Sequence, residues 1–175
     1  MVLAATAFVA LSAPVHATIE TPEAKEQAAD AAYMARQDMI EAFGEKELKP
    51  GQYLWRDGAR ASGEPQVVIG LSDQMAYLYR GDDLVAVSTI SSGTERNPTP
   101  TGIFPILEKK PIHHSRKYDN APMPFMQRID KYGVALHAGQ LPGYAASHGC
   151  IRLPAKFAAR LYRVTALGST VVIGA

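Results

Sequence analysis

The chain has 175 residues, with 18 Lys and Arg against 17 Asp and Glu and a formal net charge of +1. That length suits one compact domain plus an extension, and the balanced charge argues against nucleic acid as a partner because no basic surplus exists to neutralise phosphates. Cys150 is the single cysteine, which excludes an intrachain disulfide and leaves the fold to its core and hydrogen bonds.

Residues 1–17, MVLAATAFVALSAPVHA, form an apolar run too short to span a bilayer. After Pro14 the run closes on Val15-His16-Ala17, with small residues where a signal peptidase reads. This predicts a secretory signal cleaved after Ala17, although no Lys or Arg precedes the run. The expectation is an exported protein at the periplasm or the cell-wall face, with no transmembrane span in the mature chain. Residues 18–50 read as a helical extension. Thr21 caps a helix ending at Phe43, Pro22 suits its first position, and Gly44 stands where a left-handed stop is wanted. Ala28, Ala32, Ala35, Met39 and Ala42 make one apolar stripe. Mostly alanine, it buries little area and suits a docked or spacing helix.

Residues 51–175 read as one β-rich domain. Strands are expected at 66–71, 75–80 and 84–91, the last two paired as a hairpin through Gly81-Asp82. Residues 92–101 are a loop and 102–108 a further strand. Residues 109–122 are polar and irregular, with His113 and His114 expected as exposed loop histidines. The extended pattern resumes at 124–129 and 134–137. Pro154 opens a second helix with Phe157, Leu161 and Val164 on one face and Gly168 as its stop, and 170–173 is a closing strand.

The chemistry concentrates in two places. His137 ends a strand, and after a nine-residue spacer Ser147-His148-Gly149-Cys150-Ile151-Arg152 begins. Acyl transfer through a thiol needs a sulfur, a base and donors for the oxyanion. Cys150 offers the sulfur and His137 a base that takes the thiol proton and later returns it to a leaving amine. Gly149 lets backbone N–H groups approach a tetrahedral intermediate closely. A helix starting at Pro154 adds a modest field favouring thiolate. A zinc site from His137, His148 and Cys150, with His113 or His114, is the rival. Its spacing fits neither a finger nor a metallopeptidase, and HExxH and paired CxxC are both absent. Zinc is therefore the weaker reading. Arg152 reads equally as a solvated arginine or as a fork for a substrate carboxylate.

The stretch from His137 through Ser147-His148-Gly149-Cys150-Ile151-Arg152 resembles the signature of the YkuD-type L,D-transpeptidases. The similarity extends to Gln74-Met75-Ala76-Tyr77-Leu78-Tyr79, to Thr99-Pro100-Thr101-Gly102-Ile103-Phe104 as a TPTGxF segment, and to Gly168-Ser169-Thr170-Val171-Val172-Ile173. It covers roughly residues 66–174. The resemblance implies a mixed α/β, β-rich sandwich with one late helix. It also implies peptidoglycan stem peptides as substrates, with diaminopimelate in the acceptor, and no metal or organic cofactor. By that resemblance Cys150 is the nucleophile and His137 the general base, its ring oriented by the Ala138 carbonyl. Backbone groups of His148, Gly149 and Cys150 form the oxyanion hole, Ser147 supports the turn, and Arg152 lies near the substrate.

The spacer of residues 138–146 is shorter than the family's usual one, which leaves less room there for a substrate-covering lid. Two other outcomes compete with cross-linking. Water in place of an amine gives an L,D-carboxypeptidase or amidase. A non-catalytic wall-binding scaffold would be expected to have lost the cysteine, histidine or glycine, and all are present.

Overall fold

The computed structural model describes residues 18–57 and 61–175; the signal segment predicted for residues 1–17 lies outside them. Among the described residues no helix is long and apolar enough to cross a membrane.

Period-2 alternation organises the larger sheet. Its strands are β1 (Tyr53–Trp55), β2 (Pro65–Gly70), β3 (Met75–Arg80), β4 (Asp83–Thr89), β5 (Gly102–Pro105) and β10 (Thr170–Gly174), in the spatial order β1-β4-β3-β2-β10-β5. β10 runs parallel to β2 and antiparallel to β5, so the chain's last strand lies inside the sheet. Val67, Ile69, Leu78, Val171 and Ile173 point into one core, while Val68, Tyr77, Val87 and Val172 point into a second core on the opposite face. Both faces are buried. The strands therefore read as near-continuous apolar runs rather than as alternating ones.

The first face meets a four-stranded sheet of β6 (Glu108–Lys110), β7 (Met126–Arg128), β8 (Ala135–Ala138) and β9 (Ile151–Leu153), in that order. Helix α2 (Ala155–Val164) adds Phe157, Ala158 and Leu161 to the core between the sheets. Phe157 is fully buried, with Tyr53 and Trp55 ring centroids 5.7 and 5.6 Å away. The second face is covered by helix α1 (Pro22–Phe43), whose N-cap is Thr21, with its hydroxyl accepting from the Ala24 N–H at 3.2 Å. Ala24, Ala28, Ala32, Ala35 and Met39 are its buried residues; Ala42, expected in the stripe, is exposed. The small stripe permits close approach. A Cβ on Gly174 would lie 2.3 Å from the Ala28 carbonyl oxygen and 2.8 Å from the Ala32 Cβ. Tyr79 fastens the same interface by donating its hydroxyl to Asp38 at 2.6 Å.

Four expectations need correction. β1 and β9 were not anticipated; each has three residues, too few to establish a period. The run 102–108 is not one strand. It leaves the larger sheet after Pro105, where Ile106 N–H bonds the Ser169 carbonyl and Leu107 N–H already bonds the Arg128 carbonyl in the other sheet. The polar stretch from 109 begins as strand β6 and continues as a hairpin-like excursion, with Met123 N–H on the His113 carbonyl and Phe125 N–H on the Pro111 carbonyl. Helix α2 stops at Val164, short of Gly168. The Lys109 ammonium bonds the Tyr162 and Thr165 carbonyls, and the Thr165 hydroxyl bonds the Leu161 carbonyl, so the last turn is satisfied without a glycine.

Candidate active site

The smaller sheet has one apolar face and one chemical face. Leu136, Ala138, Ile151 and Leu153 enter the core between the sheets. By the same alternation His137 and Arg152 point the other way, and they are register partners across the parallel β8–β9 pair. Cys150 lies two residues before Arg152, at the entry to β9. All three line a cavity of about 950 Å³, together with Ser147, His148 and Tyr118. The sequence spacing between His137 and Cys150 is thus closed by a parallel strand pairing.

His137 is buried at 7 % exposure, and its Nδ1 lies 2.8 Å from the Ala138 carbonyl oxygen. A carbonyl only accepts, so Nδ1 carries the proton and Nε2 keeps its lone pair. Burial lowers the His137 pKa from its ordinary value; the Ala138 carbonyl opposes this and the Arg152 charge adds to it. Burial therefore favours the neutral imidazole. Cys150 is half-buried and packs beside Met123, Met126 and Ala135. Burial pushes its thiol pKa up; the Ala135 backbone lowers it, Asp130 raises it and Arg152 lowers it. The thiol faces the Gly133 carbonyl at 3.8 Å. Both shifts favour the uncharged forms of the two groups.

The loop carrying the thiol is tied on its inner side. Ala146 and Ser147 N–H groups both donate to the Ser92 carbonyl, and Thr94 N–H donates to the Ser147 carbonyl. Ser147 is buried; its hydroxyl donates to the Cys150 carbonyl and accepts the Gly149 N–H at 3.1 Å. Of the three backbone N–H groups expected around the oxyanion, that of Gly149 is thus engaged within the loop. Arg152 exchanges backbone hydrogen bonds with Ser91, and its side chain, half-buried at the cavity, forms no ion pair among the described residues. His148 is exposed, and its ring stacks on Tyr118 with centroids 4.4 Å apart.

That stacking joins the Cys150 loop to the excursion of residues 111–125. Its Ser115, Tyr118 and Met123 wall one side of the cavity, and Gly139 and Gln140 from the 138–146 spacer line it as well. His113, expected as an exposed loop residue, is half-buried there and lines the cavity, whereas His114 is exposed. Among the described residues no three His, Cys, Asp or Glu side chains form a metal-ligand set.

Sequence reasoning gave no role to two residues that shape the site. Asp130 is buried, and its Oδ1 accepts N–H groups of Tyr132, Gly133 and Val134 at 2.9, 2.8 and 2.8 Å, which fixes the turn that aims the Gly133 carbonyl at the thiol. The Asp-Lys-Tyr-Gly run was a turn signal for it. Thr99 was marked only as part of the TPTGxF segment.

Residues 64–173 match the family model of the YkuD L,D-transpeptidase catalytic domain. Among solved structures, an L,D-transpeptidase from Mycobacterium smegmatis shares 23% identity over 64% of this chain and 59% of that one, with a TM-score of 0.59. L,D-transpeptidase 3 from Mycobacterium tuberculosis, in complex with a faropenem-derived adduct, shares 21% over 64% of this chain and 60% of that one, with a TM-score of 0.59. An L,D-transpeptidase from Xylanimonas cellulosilytica shares 23% over 78% and 68%, with a TM-score of 0.60. The chain spans about three-fifths of the length of the first of these relatives. No curated protein matches it. At these identities the structural likeness carries the fold, and the family model covers well over half of the chain: it belongs to the YkuD family of L,D-transpeptidase catalytic domains.

Proposed function

We propose that this protein is an exported, cysteine-dependent L,D-transpeptidase acting on peptidoglycan stem peptides. The observation that carries the reading is the shared face of β8 and β9. There an imidazole whose Nδ1 is held by the Ala138 carbonyl, a thiol, and an arginine without an ion pair among the described residues line one cavity. His137 takes the Cys150 proton as Sγ attacks the carbonyl carbon of the stem residue whose amide joins the terminal D-residue. The carbonyl oxygen becomes an oxyanion held by backbone N–H groups. Collapse breaks the C–N bond, His137 returns the proton to the leaving amine, and a thioester remains. An acceptor amine, such as the side chain of diaminopimelate, then attacks the thioester and loses its proton to His137. The new amide is the cross-link, and Cys150 leaves as thiol. Arg152 attracts a carboxylate of the stem and stabilises the developing negative charge.

Two measurements test this. Intact mass after incubation with imipenem is expected to rise by one covalent adduct, absent in Cys150→Ala; an unmodified native protein would overturn the acyl-enzyme. Muropeptides incubated with the protein are expected to yield new dimers together with a released D-amino acid. Shortened stems without dimers would instead assign the thioester to water and the protein to the L,D-carboxypeptidases.

A further inference from the structure

We propose that Thr99 is a positioning residue for acyl transfer: its hydroxyl sets the Gly149–Cys150 peptide so that the Cys150 N–H serves as an oxyanion donor. The proposal rests on the reading of Cys150 as the acylated nucleophile.

Thr99 is buried at 5 % exposure in the loop between β4 and β5. Its hydroxyl donates to the Gly149 carbonyl at 2.9 Å and accepts the Gly93 N–H at 2.9 Å. The two bonds leave no ambiguity of direction. The amide can only donate, so the single hydroxyl proton goes to the carbonyl. In a trans peptide the C=O and the following N–H point to opposite sides. Holding the Gly149 carbonyl inward on Thr99 therefore turns the Cys150 N–H outward, to the side where Cys150 and His137 line the cavity.

Two further features make the tie necessary. Gly149 has φ +109°, a conformation that only glycine adopts readily, and glycine resists peptide rotation least. The Gly149 N–H is already given to Ser147, so in this peptide pair the Cys150 N–H is the donor left for a substrate oxygen. A carbonyl released from Thr99 loses its buried partner, and rotation of the peptide takes the donor away from the oxyanion. Removing one such donor typically slows acylation by about 10²–10³-fold.

The test separates oxyanion stabilisation from thiol reactivity. Imipenem acylates through a tetrahedral oxyanion, whereas iodoacetamide alkylates the same sulfur without one. Thr99→Val keeps the shape and removes the hydroxyl; Thr99→Ser keeps the hydroxyl. Thr99→Val is expected to slow imipenem acylation by about 10²-fold or more while leaving iodoacetamide alkylation unchanged, and Thr99→Ser is expected to acylate like the native protein. Native acylation in Thr99→Val overturns the proposal, as does an equal loss of both reactions, which marks general damage to the loop. If Thr99→Val does not melt cooperatively, Thr99→Ser decides: acylation lost with alkylation retained, despite the hydroxyl, overturns it, and native acylation supports it. Native protein that imipenem leaves unmodified refutes the acyl-transfer reading itself, and the role of Thr99 with it.

Discussion

Gly93→Ala tests how tightly the loop under Cys150 is built. An added Cβ would lie 2.2 Å from the Asn97 carbonyl oxygen, 2.8 Å from Gly149 Cα and 2.8 Å from Thr99 N. All three obstacles are backbone, so no side chain can swing aside. Restoring ordinary contact requires a relative displacement of about 1 Å, shared between the 97–99 segment and Gly149. Overpacking of this kind costs about 1–3 kcal/mol, which in a chain of this size lowers Tm by roughly 2–12 °C. A displacement of that order at the reacting centre slows acylation by about 10²-fold. Calorimetry gives the first quantity, and time-resolved intact mass with imipenem gives the second. Gly149→Ala fails for a different reason. Its Cβ would have no neighbour nearer than 3.7 Å, so the cost there is the positive φ alone. A Gly93→Ala protein with native Tm and native acylation rate would refute the close-packing argument.

Imipenem acylation is expected to fall with pH along a limb centred below the usual imidazole value of 6.5, because burial favours neutral His137; a limb at or above 6.5 would contradict the buried geometry. The sign carries over to stability, since a lowered folded-state pKa means the His137 contribution is present above 6.5 and lost as pH falls through the lower, folded value. Iodoacetamide alkylation of native Cys150 is expected to rise with a midpoint above the usual thiol value of 9.0, and a midpoint below it would mean a preformed thiolate. Phe157→Ala removes a fully buried ring that contacts both Tyr53 and Trp55, and is expected to cost about 3–5 kcal/mol by denaturant titration. Lys109→Met deprives the end of α2 of its ammonium donor and is expected to cost about 1–3 kcal/mol, with faster amide exchange in the last turn of the helix.

What the sequence determined by itself was local or periodic. The cap at Thr21 and the stop at Gly44 bounded α1, β3 was read with its observed ends, and the order of motifs pointed to the YkuD family, whose model matches residues 64–173. These features depend on residues a few positions apart, so propensity and spacing carry them. Tertiary structure decided what depends on distant partners. Three-residue strands such as β9 exist because neighbours supply their hydrogen bonds: Leu136, His137 and Ala138 on one side, and Ser91 on the other. The crossing of the chain at Ile106 and the Lys109 ammonium that binds the last carbonyls of α2 are also set by groups far away in sequence. The placing of residues 111–125 beside the cavity arises the same way, with Tyr118 stacked on His148. Cys150 shows the division most clearly. The motif around it was readable from the residues beside it, but the peptide that precedes it is held by a hydroxyl in another loop. The Thr99–Gly149 hydrogen bond spans 50 positions, and no local pattern reports a contact that only the packed fold brings within reach.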